Sequence, residues 1–135
     1  MLGYLTIGAN DIARSERFYT AVLGPLGYRR AEEEDGVAYA LPNSADGSNG
    51  PTALYVKKPF DGRQATVGNG SMMAFRAPTP AQVRALYSAG VAAGGTDEGA
   101  PGFRAQYSRT FFVGYLRDPL GNKLALFCTT TDPAA

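Results

Sequence analysis

The stretch "LTIGANDIARSERFYTAVLGPLGYRR", residues 5–30, decides the fold, because the period of its apolar residues changes within it. Leu2, Leu5 and Ile7 form a short β-prone run and predict a first strand at about 2–7. Asn10 or Asp11 can then accept from the free N–H groups of a helix start. Ile12, Phe18, Tyr19, Val22 and Leu23 make one apolar helical face, and Gly24-Pro25 stops it. "YRRAEEEDGVAYALP" predicts strands at about 28–33 and 37–41, joined by an Asp35-Gly36 hairpin turn. "NSADGSNGP" is a polar loop and "TALYVKK" (52–58) a fourth strand. The first half therefore reads β-α-β-β-β.

After the connector "PFDGRQATVGNG" (59–70) the pattern begins again. "SMMAFRA" (71–77) predicts a strand. Thr79 caps the next helix with Pro80 at its first position; Val83, Leu86, Tyr87 and Val91 form its inner face, and Gly94-Gly95 closes it. "TDEGAPGFRAQYS" (96–108) is irregular, with room for one short strand. "FFVGYLR" (111–117) and "KLALFC" (123–128) are strands flanking the turn "DPLGN", where Gly121 can take positive φ. A shift of 68 residues lays Tyr4 on Met72, Phe18 on Leu86 and Tyr19 on Tyr87. Identity between the halves is low; the order of elements is what repeats. The expectation is α+β: one domain over 1–135, built from two tandem β-α-β-β-β modules at about 1–58 and 70–128. Paired modules would form a curved mixed sheet around a central cup.

Bulk properties exclude several functions. The chain has 135 residues, 44% of them hydrophobic, the size and composition of one folded domain. Thirteen basic and 12 acidic residues give a net charge of +1, spread without the clustered basic face that nucleic acid requires. The run "EEED" (32–35) reads as a solvated strand end. No apolar stretch approaches the roughly 18–20 residues that cross a bilayer, and "MLGYLTIGAND" lacks the marks of a signal peptide. The single cysteine, Cys128, ends an apolar strand and reads as a small buried hydrophobe. These features predict a cytoplasmic protein with no membrane or nucleic-acid partner. There is no histidine, which removes the usual general base and the commonest ligand of Zn, Fe, Ni and Cu. A Ser-His or Cys-His pair is impossible.

The opening "LTIGANDIARSERFYTAVLGPLGY" and the closing "YLRDPLGNKLALFC", in that order on paired modules, resemble the vicinal oxygen chelate superfamily. That superfamily includes glyoxalase I, ring-cleaving dioxygenases and the bleomycin and fosfomycin resistance proteins. "AAGGTDEGAPGFR" is similar to small bacterial glyoxalase-like proteins. The resemblance implies a metal cup with ligands from one face of four strands. Its usual histidine positions fall here on Tyr4 and Met72, and its glutamate on Ala125. A fourth position falls on Ala53 or Tyr55. No metal is expected at these residues, and no two carboxylates stand at alternate strand positions facing one cup.

Strand parity then lines the cup. With Tyr4 go Leu2 and Thr6; with Met72 goes Ala74; with Ala125 go Lys123 and Phe127. By resemblance Tyr115 looks into the cavity, and Phe111, Val113 and Arg117 share its face. The expected ligand-binding residues are Tyr4, Tyr39 or Tyr55, Met72, Phe111 and Tyr115, an aromatic and thioether lining suited to a flat or apolar small molecule. The loop "GFRAQYSRT" adds Arg104, Tyr107 and Arg109; an arginine there can bind a carboxylate or phosphate in bidentate fashion.

The sequence therefore reads as a glyoxalase/bleomycin-resistance-like protein of unknown substrate, a cofactor-free small-molecule-binding domain with an aromatic cup. The resemblance also implies a homodimer. Two other functions stay open: a divalent-metal-dependent lyase or dioxygenase, and a structural dimer with a vestigial cup. No residue is singled out as catalytic, because a tyrosine such as Tyr4 or Tyr115 is a poor base without a large pKa shift.

Overall fold

Strand β1 (Tyr4–Gly8) gives way to helix α1 (Ile12–Leu23) at Asp11, whose carboxylate accepts from the Arg14 N–H at 3.1 Å. The neighbouring Asn10 is used differently. Its side chain accepts from the Ala65 N–H (2.7 Å) and donates to the Ala65 carbonyl (3.2 Å), pinning the inter-module connector to the end of β1. A short 3-10 turn, Gly24–Leu26, follows α1, and Gly27 takes φ 95°. Then come β2 (Arg29–Glu33), β3 (Gly36–Ala40) and β4 (Ala53–Lys57). The second module has β5 (Met73–Arg76), α2 (Pro80–Ala92), β6 (Thr96–Phe103), β7 (Phe111–Arg117) and β8 (Lys123–Thr129). This computed structural model describes residues 2–42 and 52–130. The polar loop read at 43–51 and the tail beyond 130 lie outside the described residues.

Each module makes a four-stranded mixed sheet, ordered β1-β4-β3-β2 and β5-β8-β7-β6. The first strand of each pairs parallel with the last, and the other pairs are antiparallel. The repeat read from element order is thus real in topology. The mixed sheet is divided into two halves that do not close into a barrel: β1 and β5 are each the edge of their own sheet. Phe18 and Val22 from α1, Val83 and Leu86 from α2, and Leu54, Val56, Leu124 and Leu126 from the sheets join in one core. Burial of this apolar surface is the main stabilising term.

Several local readings shift. The hairpin turn is Glu34-Asp35, with Glu33 paired to Gly36 inside the ladder. Gly36 is there for space: a Cβ would stand 2.0 Å from the Val56 carbonyl oxygen. Met72 lies just outside β5. Val91 is exposed, and Gly90 takes the inner position on α2. A Cβ on Gly90 would come within 2.6 Å of Leu116 Cδ1 and 3.0 Å of Val22 Cγ2, so the glycine permits close packing of the two helices. The irregular stretch after α2 forms the eight-residue β6, with two register shifts against β7.

One turn ties the modules together. Asp118 Oδ1 accepts from the N–H groups of Leu120, Gly121 and Asn122 at 2.9–3.0 Å, and Gly121 takes φ 115°. Its Oδ2 accepts from the Tyr19 hydroxyl of α1 at 2.7 Å. Asn122 donates in turn to the Gly8 carbonyl at 3.1 Å. "DPLGN" is therefore a clamp between the halves as well as a turn. Among the described residues no helix is long and apolar enough to cross a membrane.

Candidate functional site

The ladder registers place Tyr4, Tyr39, Tyr55, Phe111 and Tyr115 on a face, while Met72, Arg104, Tyr107 and Arg109 lie outside the strands. In the first sheet Tyr4 pairs with Ala53 and Thr6 with Tyr55, so these four share the outer face, while Leu5, Ile7, Leu54 and Val56 turn to the core. In the second sheet Ala74 pairs with Ala125, and Ala125 with Tyr115. Val113 pairs with Phe127, so Phe111, Tyr115, Lys123 and Phe127 lie on its outer face. Leu124, Leu126 and Cys128 lie behind, and burial raises the Cys128 thiol pKa.

Tyr39 departs from the expected set. It pairs with Leu54 on the inner face, is 1% exposed, and donates its hydroxyl to the Glu16 carbonyl at 3.0 Å. Of the two alternatives read from sequence, only Tyr55 stands on the outer face. The core takes the larger residues of "VAYA", Val37 and Tyr39, and leaves Ala38 and Ala40 facing outward.

The remaining residues gather in separate places. Tyr4, 66% exposed, meets Tyr55 edge-to-face at 5.5 Å. Tyr107 meets Phe111 at 6.1 Å, and Phe111 meets Phe127 at 5.7 Å. Arg104 lies over Tyr115 at 5.8 Å and donates to the Ala100 carbonyl at 2.7 Å. Gly99 and Gly102 give it room: a Cβ at either would stand 3.6 or 3.0 Å from the guanidinium. Arg109 is exposed in the turn before β7. Met72, 47% exposed, lines a cleft instead.

That cleft runs between the two edge strands, with a volume of about 580 Å³. Leu2, Leu5 and Ile7 form one wall; Met72, Met73 and Phe75 form the other. Tyr28 bridges the inner end, its ring 6.1 Å from Phe75 and edge-on to it. Thr6, Thr52 and Ser71 supply hydroxyls, and Arg76 and Lys123 supply the charge. Both cations rest on aromatic rings: Arg76 is 4.8 Å from the Phe127 centroid and Lys123 5.2 Å from that of Tyr115. The sequence reading missed most of this lining. Parity brings in Leu2, Thr6, Ala74 and Lys123, and the same signal extends to Arg76, which shares a face with Ala74.

The metal implied by the resemblance does not fit these residues. Its four positions hold Tyr4, Met72, Ala125 and either Ala53 or Tyr55, and Ala125 is 2% exposed beneath its neighbours. Among the described residues, no group of three or more Cys, Asp or Glu side chains could hold an ion. Phenols, a lone thioether and methyl groups make no site for a hard divalent ion.

Fold and register define a two-module protein of the glyoxalase type. The family model described as the Glyoxalase/Bleomycin resistance protein/Dioxygenase superfamily matches residues 1–126, and the chain belongs to that superfamily. The crystal structure of a glyoxalase/bleomycin resistance protein from Albidiferax ferrireducens T118 is 35% identical. The match covers 96% of this chain and 99% of that one, with a TM-score of 0.83. A glyoxalase-related enzyme from Fulvimarina pelagi shares the fold at 19% identity, covering 96% and 88%, with a TM-score of 0.71. Lactoylglutathione lyase from Agrobacterium tumefaciens does so at 19%, covering 95% and 92%, with a TM-score of 0.63. No curated protein matches the chain.

Proposed function

We propose that this protein binds a small organic molecule without a metal, in the cleft between β1 and β5. The observation that carries the reading is the cleft itself. Its volume of about 580 Å³ lies within the range of ligand sites, and its walls are mostly apolar with a few hydroxyls and cations. The misfit of the metal positions supports metal independence. So does the absence of histidine, the commonest ligand of Zn, Fe, Ni and Cu. The lone buried Cys128 agrees with a reducing compartment, and we assign the protein to the cytoplasm.

Two measurements test this together. Protein loaded with Zn²⁺, Mn²⁺ or Ni²⁺ and then desalted should retain far less than one ion per chain. A panel of flat aromatic compounds should include members that raise Tm by several degrees in the presence of chelator. Stoichiometric metal, or a Tm indifferent to the whole panel, would refute the proposal.

A homodimer is favoured by a separate observation. Tyr4 on the outer face of the first sheet and Tyr107 in the turn between β6 and β7 expose large aromatic surface that a second copy could cover. Light scattering should give twice the chain mass; a monomer at micromolar concentration would remove the idea.

A further inference from the structure

We infer that the β1–β5 cleft is specific for organic anions, a carboxylate or phosphate carried on an apolar body. This rests on the proposal that the cleft binds small molecules, and it names their charge. The argument is a comparison of concave surfaces among the described residues. The groove beside the β4 end sets Lys57 and Lys58 against Asp35 and Asp61. The shallow surface beside the first hairpin is rich in acid, with Glu32, Glu33 and Glu34. Unlike these two surfaces, the cleft has cations, Arg76 and Lys123, with no Asp or Glu in its lining.

Among the described residues neither cation is paired with a carboxylate. Arg76 donates to the Thr129 hydroxyl at 3.1 Å. Arg117 offers the contrast on the same sheet, donating to Glu98 at 2.9 Å and to the Gly121 carbonyl at 2.8 Å. The rings beneath Arg76 and Lys123 hold them in place and leave their charge and most of their N–H groups available. In the ladder they flank Ala74 from either side: Arg76 is level with Phe127, and Lys123 lies just before the Met73–Leu124 pair. Ala74 is small and exposed, so an anionic group can sit over it within reach of both cations. Leu2, Leu5, Met72 and Met73 then receive the apolar body.

The test uses three probes of one shape: 2-naphthoate, 2-naphthyl phosphate and the neutral 2-naphthalenemethanol, titrated by calorimetry. Both anions, or the one whose head group fits, should bind at least about tenfold more tightly than the alcohol. Added salt should weaken the anions and leave the alcohol unchanged. The double variant Arg76→Gln/Lys123→Gln should lose about tenfold for the anion and keep the affinity for the alcohol. Both side chains are surface groups, and an unchanged Tm in the variant would confirm that folding is intact. Preference between naphthoate and naphthyl phosphate identifies the head group. If the alcohol binds as well as the anions, or the variant holds the anion as tightly, the inference fails while the small-molecule reading stands. If none of the three binds, both fail.

Discussion

The two faces of the second sheet share the same strands and have opposite chemistry. Behind it, Leu124, Leu126, Cys128, Phe112 and Leu116 are at most 1% exposed and packed on the helices. In front, Lys123, Phe127, Tyr115 and Phe111 are half-buried, and ring–ring and cation–ring contacts hold them. Successive residues of one strand thus divide the work: alternate positions stabilise the fold, and those between, apart from the buried Val113 and Ala125, stay partly open to solvent. Substitutions should follow this division, with large losses of stability on the inner side and small ones on the outer.

The largest effect is expected at Asp118. It is 3% exposed, and its carboxylate serves Tyr19, three turn N–H groups and the Asn122 side chain. Asp118→Ala leaves those donors without their acceptor and loosens the clamp between modules. A loss of about 3 kcal/mol or more is expected in urea unfolding. A loss below about 1 kcal/mol would mean that the shared core alone holds the modules together. Gly36→Ala should come next, because its Cβ would meet backbone, 2.0 Å from the Val56 oxygen and 2.7 Å from the Lys57 Cα. About 2–3 kcal/mol is expected, typical of overpacking that side chains cannot relieve.

Tyr19 sharpens the comparison through pH. Burial first, and then the charge of Asp118, hold its phenol pKa well above the ordinary 10.0. The folded state therefore keeps the proton longer than the unfolded chain does. This contribution to stability is complete below pH 10.0 and is lost as the pH climbs above it towards the folded value. Tyr19→Phe should cost about 1–2 kcal/mol at neutral pH and make the alkaline loss of stability shallower. Tyr87, held by Asp97 and pushed up to about 12, adds a smaller alkaline component that this variant retains. An identical alkaline limb in Tyr19→Phe would separate the buried phenol from the effect.

Much of the architecture was legible in sequence because helix and strand periods differ sharply. The spacing of Phe18, Tyr19, Val22 and Leu23 marks one helical face, and "DPLGN" marks a turn. The rest depends on choices the sequence pattern leaves open. In "GVAYA" both alternations are apolar, so parity alone could not say that Tyr39 goes inward; the larger side chains filled the core. Strand β6, "TDEGAPGF", has almost no β-branched or aromatic residues, and its pairing with β7 is what makes it a strand. The cleft depends on how two sheet edges sit relative to each other, which neither module encodes by itself. Cation–ring contacts such as Arg76 on Phe127 follow from ladder register, 51 residues apart in sequence, and so were invisible until the register was known.

The smallest effects on stability should come from the outer face, and there they test the division most directly. Tyr4 contacts Tyr55 through one edge-to-face pair and is otherwise open, and Met72 lies beyond the end of β5. Tyr4→Ala and Met72→Ala should each change unfolding free energy by no more than about 0.5–1 kcal/mol. Their effects on binding should differ. Met72 lines the cleft and Tyr4 does not, so Met72→Ala should weaken 2-naphthoate several-fold while Tyr4→Ala leaves it unchanged. Equal losses in both variants would place the ligand across the outer face of the first sheet instead of in the cleft. A stability loss at Tyr4 as large as that at Gly36 would break the division itself, because the outer face would then be part of what holds the chain together.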